Sequence, residues 1–147
     1  MTEAPNRTIP SGLPGATPRG KKTEVSSRAS GEMQRQLRRE NESATILALM
    51  GYDVEQNPPT LPNGKNPDYK IEGQIFDHYT PPTSNPDQIR KGISRKVKRR
   101  QAERIVLNLD DTNVNPDELQ DILARKPIDN LKEIIMIING KVIPFFP

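Results

Sequence analysis

"NPDYKIEGQIFDHYTPP", residues 66–82, reads as two short strands around a tight turn. With Glu72-Gly73 as a two-residue turn, Ile71 pairs with Gln74, Lys70 with Ile75, Tyr69 with Phe76 and Asp68 with Asp77. An acidic residue followed by glycine is a tolerable hairpin turn. Residues directly opposed across such a pair share a face, with Cβ atoms about 4.5–5.5 Å apart. The register therefore predicts two facing carboxylates. They repel unless a cation or a shared proton lies between them.

The 147-residue length predicts one domain and a tail. Residues 1–30 hold four prolines and four serines with no apolar periodicity, so they are expected to be a disordered tail that packs against nothing. The domain is expected over residues 31–147, enough for one modest core. No stretch has the apolar length of a signal peptide or a membrane span. The absence of cysteine excludes disulfides, thiolate zinc sites and cysteine nucleophiles. His78 is the only histidine, so multi-histidine metal sites are excluded, and a lone histidine is more often structural than catalytic. The net charge of +3 hides an asymmetry: eight of the fifteen residues in "RKGISRKVKRRQAER" (90–104) are basic and one is acidic. Such a run attracts phosphates, or else is a solvated helix face.

Residues 31–50 fit a helix, with Met33, Leu37, Ala44, Leu47 and Ala48 on one stripe. Ile46 and Leu49 lie on another side, so the second half is expected to be buried nearly all round. Glu42 heads that second stripe, and Glu40 lies on the edge of the first. A short strand in "GYDVEQNP" and a loop in "PPTLPNGKNP" lead into the hairpin. A second helix is expected over residues 83–103, with Asn85 as cap, Pro86 at the first helical position and Ile89, Ile93 and Val97 inward. Lys96 flanks that stripe, and Ser94 lies about 200° from it. "RIVLNL" (104–109) is a buried strand, and Asn115-Pro116 opens a third helix. Two last strands flank Asn139-Gly140, and Pro144 makes the final one an edge. The order predicts an α/β layered fold with a mixed sheet.

One acid at a strand end is ordinarily satisfied by neighbouring N–H groups. Two that face each other point to a hard divalent cation on oxygen ligands. With a glutamate from a buried helix and a lysine from a basic one, the set suits phosphodiester cleavage. An acid on the first helix, a "PD" on one strand and an acid on the next resembles the PD-(D/E)XK nuclease superfamily. "ENESATILALMGYDVEQNP", "NPDYKIEGQIFDHYTP" and "QAERIVLNLDD" together look like the C-terminal nuclease domains of contact-dependent growth inhibition toxins (CdiA-CT) of the tRNase type, over about residues 36–147.

That resemblance implies a PD-(D/E)XK-like mixed sheet flanked by helices. It also implies a fragment of a large secreted effector that reaches the target-cell cytoplasm and cleaves tRNA with Mg²⁺, Mn²⁺ or Zn²⁺, and a cognate immunity protein as partner. Carried over by position, Glu42, Asp68 and Asp77 would bind metal and Lys96 would be the catalytic lysine. Asp77 is followed by His78-Tyr79, so the superfamily's lysine two residues on is missing. Lys96 fills that place in this toxin group. Lys70 is the alternative, since it shares the Asp68/Asp77 face, and Ser94 is a further candidate for the site. Arg95, Lys98, Arg99 and Arg100 are expected to hold RNA. Two other functions fit the same residues, a DNase on the same core and an inert nucleic-acid-binding domain. A metal-independent ribonuclease would have to use His78.

Overall fold

The turn at Glu72-Gly73 has φ values of 49° and 80°, the left-handed pair that a two-residue hairpin of the favoured twist demands. Strands β3 (Tyr69–Ile71) and β4 (Gln74–Tyr79) pair in the register read from the sequence, Tyr69 with Phe76, Lys70 with Ile75 and Ile71 with Gln74. Asp68 and Asp77 are the next step beyond the last paired residues. The structure, a computed structural model, describes residues 7–99 and 102–147.

Around the hairpin the chain adds β1 (Arg19–Gly20), α1 (Gly31–Leu49), β2 (Val54–Gln56), α2 (Pro86–Lys98), β5 (Arg104–Asn108), α3 (Pro116–Arg125), β6 (Glu133–Ile138) and β7 (Lys141–Phe146). All seven strands lie in one sheet in sequential order. The pairs β1–β2, β4–β5 and β5–β6 are parallel, and β2–β3, β3–β4 and β6–β7 are antiparallel. Parallel neighbours need a crossover; here α1, α2 and α3 supply one each. Residues on β5 and β6 are buried on both faces, which explains their unbroken apolar runs.

Helix α1 covers one face of the sheet through Ala44, Leu47 and Ala48, which pack with Tyr69, Phe76, Val106 and Ile135. Helices α2 and α3 cover the other through Ile89, Ile93, Val97, Leu119 and Ile122, against Ile105, Leu107 and Ile134. The fold is thus the expected α/β arrangement, a mixed sheet between helices. α1 differs in one respect: Thr45 and Leu49 are exposed and Ile46 is half-buried, so its second half is not buried all round. α2 is shorter than the 83–103 expected. Asn85 caps it by accepting from Asp87 N and Gln88 N, and it ends with Arg99 as C-cap.

Residues 7–30 do not match the expectation of a tail that packs against nothing. They form an extended strap along the domain. Thr8 reaches Glu133, Arg19 pairs with Asp53, and Thr23 meets α1. A polar segment with few apolar side chains is held here by hydrogen bonds to side chains and to β2, a source of order that composition does not register.

Gly92 sets the spacing between α2 and β4. A Cβ there would lie 2.1 Å from the Tyr79 hydroxyl oxygen and 2.4 Å from its Cζ. Alanine gains about 1 kcal/mol in helix propensity, but forcing it against a ring costs about 1–3 kcal/mol. We expect Gly92→Ala to lower the urea midpoint, and to cost much less in a Tyr79→Leu background. Equal costs in both backgrounds would show that the Tyr79 contact is not the reason for glycine.

Candidate active site

The alternation of β4 divides its side chains between the two layers. Phe76 and His78 face α1, and Asp77 and Tyr79 face α2. Asp77 is 1% exposed, and its carboxyl lies close enough to that of Asp68 for the neighbour to raise its proton affinity, as the hairpin register predicts for a facing pair. The backbone N–H of His78 donates to Asp68 Oδ2 at 2.8 Å, which fixes one oxygen of that carboxylate. Lys96 Nζ lies 3.3 Å from Asp77 Oδ2 and 5.8 Å from the centre of the Tyr79 ring. It reaches inward because it flanks the Ile89/Ile93/Val97 stripe.

The third acid is Glu40, not Glu42. Glu40 is buried and lines the same cavity as Asp68, while its backbone carbonyl accepts from the Tyr69 hydroxyl at 2.5 Å. Glu42 is exposed and pairs with Arg39 at 2.9 Å. The reason is the helix phase. Ala44, Leu47 and Ala48 lie four, seven and eight residues beyond Glu40 and form the buried stripe, whereas Glu42 heads the outward one. With Gln36, Leu37, Thr80 and Pro82, the residues Glu40, Asp68, His78, Tyr79 and Lys96 line a cavity of about 280 Å³.

Burial is the largest cause pushing Asp68 up to about 6 and Asp77 up to about 7. For Asp77 the neighbouring Asp68 adds to the rise, and Lys96 opposes it. Both carboxyls therefore sit in a field that a cation would relieve. Among the described residues no three acidic or imidazole groups already form a metal cage. A pair of carboxylates is still a sufficient protein contribution for an ion such as Mg²⁺, which retains waters and takes substrate phosphates as further ligands. On this donor chemistry Asp68 and Asp77 fit a hard divalent cation, and Glu40 stands beside them.

The other sequence candidates are placed elsewhere. Ser94 lines a separate cavity with Arg90, Lys98, Pro127 and Ile128, on the far flank of α2, as its helical angle dictates. Lys70 is exposed opposite Ile75. His78 is buried, with Nε2 2.9 Å from Ser43 Oγ and its ring edge-on to Tyr69. Burial pulls it down to about 3, and Lys96 and Arg35 add to the fall, so it is neutral. Its ring is engaged by Ser43 and Tyr69 rather than by the aspartates. Arg95, Lys98 and Arg99 are exposed on the outer side and end of α2. Arg100 lies outside the described residues. Sequence reasoning also missed Arg35, which donates to the Thr80 hydroxyl and carbonyl and pairs with Asp111, pinning the loop after β5 to α1.

Because both aspartates titrate above their usual range when folded, the folded domain holds protons that the unfolded chain releases between about pH 4 and 7. The associated stability is full below about pH 4 and is lost as pH rises through 6 and 7. In metal-free buffer, Asp77→Asn should therefore raise the melting temperature relative to wild type more at pH 8 than at pH 5. A difference that does not grow with pH would sink the repelling pair.

Residues 65–143 match the model of the contact-dependent growth inhibition CdiA C-terminal domain family. The chain is 44% identical over 118 residues to the tRNA nuclease CdiA-2 of Burkholderia pseudomallei strain 1026b, a match covering 80% of this chain but 4% of that much longer protein. It also superposes on the CdiA-CT/CdiI toxin and immunity complex from Burkholderia pseudomallei with a TM-score of 0.83 and 41% identity, covering 89% of this chain and 99% of that one. On the extent of the family match and the identity over four-fifths of its length, the chain belongs to the CdiA C-terminal domain family of contact-dependent growth inhibition.

Proposed function

We propose that this domain is a metal-dependent endonuclease toxin that cleaves tRNA in the cytoplasm of a target bacterium, using Asp68, Asp77, Lys96 and Glu40. The observation that carries the reading is the Asp68–Asp77 pair with the Lys96 ammonium 3.3 Å from Asp77 at the edge of a cavity. The choice of tRNA rests on the relative named a tRNA nuclease.

A divalent cation on Asp68 and Asp77 would polarise a phosphoryl oxygen and lower the pKa of a bound water. Asp77 and the Tyr79 ring together orient Lys96, so that its fixed positive charge lies where negative charge grows on the phosphodiester. The His78 N–H holds Asp68, and Glu40 faces the same cavity. Arg95, Lys98 and Arg99 lie outside the cavity and would grip the RNA backbone. The same basic surface would suit an acidic face on an immunity protein, the class of partner present in the similar complex, which would associate quickly by steering and exclude tRNA. Among the described residues no helix is long and apolar enough to cross a membrane.

The test is purified protein incubated with total RNA and plasmid, with Mg²⁺, Mn²⁺ or Zn²⁺ or with EDTA, read on a gel. Cleaved tRNA with metal and intact plasmid is the expected result. Cleavage that persists in EDTA overturns the metal reading, and cut plasmid with intact tRNA makes the domain a DNase. Lys96→Ala should lower turnover by about 10²–10³-fold. Glu40→Gln should cut turnover sharply, and Glu42→Gln, which touches only an exposed ion pair worth about 0–1 kcal/mol, should leave it near wild type. A Glu42→Gln variant more impaired than Glu40→Gln would return the assignment to Glu42. Separately, neutralising Lys98 or Arg99 should weaken tRNA binding and reduce the slope of log affinity against log salt by about 0.7–0.9 per lost contact. An unchanged slope would remove that residue from the RNA face.

A further inference from the structure

The strap brings a hydroxyl to the candidate site from a part of the chain with no catalytic signature. Thr23 Oγ1 hydrogen-bonds to Glu40 Oε2. Its backbone is clamped by one side chain on α1: Asn41 Oδ1 accepts from Thr23 N at 2.9 Å, and Asn41 Nδ2 donates to Thr23 O at 2.9 Å. Gln56 Nε2 on β2 donates to the same Asn41 oxygen at 2.9 Å, so the clamp is itself braced.

Asn57 gives the interaction a direction. Its Nδ2 donates to Thr23 Oγ1 at 3.0 Å and to Lys21 O at 2.6 Å. An amide nitrogen only donates, so the Thr23 oxygen accepts there and its own proton goes to Glu40. Asn57 is also tied to the acid site by its main chain, since its N–H donates to the Asp68 carbonyl at 2.9 Å. It adopts φ 50°, a conformation uncommon outside glycine, which aims its side chain back toward the strap while its backbone stays on Asp68. One relay thus runs from Asn57 through Thr23 to Glu40, which lines the same cavity as Asp68.

We propose that Thr23 is a positioning residue of the nuclease site: its hydroxyl fixes one oxygen of Glu40 and so sets how that carboxylate faces the cavity it lines with Asp68, where the cation would be held. This rests on the metal-dependent reading given above. The physical basis is general. A carboxylate near a metal rotates freely unless an outer hydrogen bond fixes it, and such partners set metal affinity. The strap is consequently part of the active site rather than a leader to it.

The experiment uses the whole 147-residue chain as wild type, Thr23→Val, Thr23→Ser and Thr8→Val. Mn²⁺ binding is measured by calorimetry without RNA, and kcat and KM are measured on tRNA. Valine keeps the shape of threonine and removes the hydroxyl; serine keeps the hydroxyl. Thr8 docks the same strap on Glu133, remote from Glu40 in sequence and in its contacts, and so reports on loosening of the strap alone. Thr23→Val should weaken Mn²⁺ binding about 10-fold and lower kcat with KM unchanged, while Thr23→Ser and Thr8→Val stay close to wild type. Wild-type Mn²⁺ affinity and kcat in Thr23→Val overturn the proposal. So does a serine variant as impaired as valine, or a Thr8→Val variant as impaired as Thr23→Val. A wild-type protein that binds no Mn²⁺ and cleaves in EDTA fails the metal reading itself, and the positioning role goes with it; wild-type binding with an unaffected Thr23→Val removes the positioning role alone.

Discussion

Two facing carboxyl groups, Asp77 buried and Asp68 half-buried beside it, are a costly feature of this molecule, and much of the fold is arranged around them. Asp77 lies on a strand paired on both sides, antiparallel to β3 and parallel to β5. β3 is likewise held between β2 and β4. Neither arm of the hairpin can slide to separate the acids, because a one-residue slip would turn Tyr69, Ile71 and Phe76 out of the α1 core. Their burial, at about 1.5–3 kcal/mol for each large side chain, exceeds what separating the carboxyls would recover. The repulsion is instead met in place, by the His78 N–H on Asp68, by Lys96 on Asp77 and by the raised proton affinity of both groups.

The sequence disclosed the parts of this arrangement that depend on short-range rules. The Glu72-Gly73 and Asn139-Gly140 turns fix their hairpins through φ values that few residues adopt, so the Asp68/Asp77 register followed from counting. The inward stripe of α2 placed Lys96 beside the site and Ser94 on the other flank. The choice between Glu40 and Glu42 failed because both stripes of α1 are apolar, and only the width of the sheet beneath decides which is covered. The strap was invisible for a related reason. Thr23 and Thr8 are held by hydrogen bonds to residues 17 or more positions away, and no periodicity in "KKTEVSS" records that.

His78 shows how a residue type associated with catalysis can serve the scaffold. Asn108 on β5 donates to Ser43 on α1 at 2.9 Å, and Ser43 meets His78 on β4 at 2.9 Å. This buried chain ties three elements together within the apolar layer, where a satisfied polar link excludes alternative packings more sharply than aliphatic contact does. The main chain of His78 then carries the Asp68 contact. A side chain locked on one face of β4 thereby fixes an N–H that holds a carboxylate at the hairpin edge, and the imidazole itself needs no chemistry.

Helix α2 must serve two partners whose demands differ in physical kind. Its basic residues Arg95, Lys96 and Lys98 crowd into the last turn, where the carbonyl end of the helix stabilises them. That end presents no free N–H groups, so it offers a phosphate nothing of the cradle available at a helix N-terminus. Any grip on RNA at this surface has to come from the side chains of Arg95, Lys98 and Arg99, which are solvated and screened by salt. Lys96 is different. It is only 30% exposed along its side chain and is tethered to a carboxylate that is 1% exposed, where screening is weak. On the proposed function, substrate capture would follow ionic strength while the tether of Lys96 to Asp77 would not. One helix separates the two by a single step of 100° between Arg95 and Lys96.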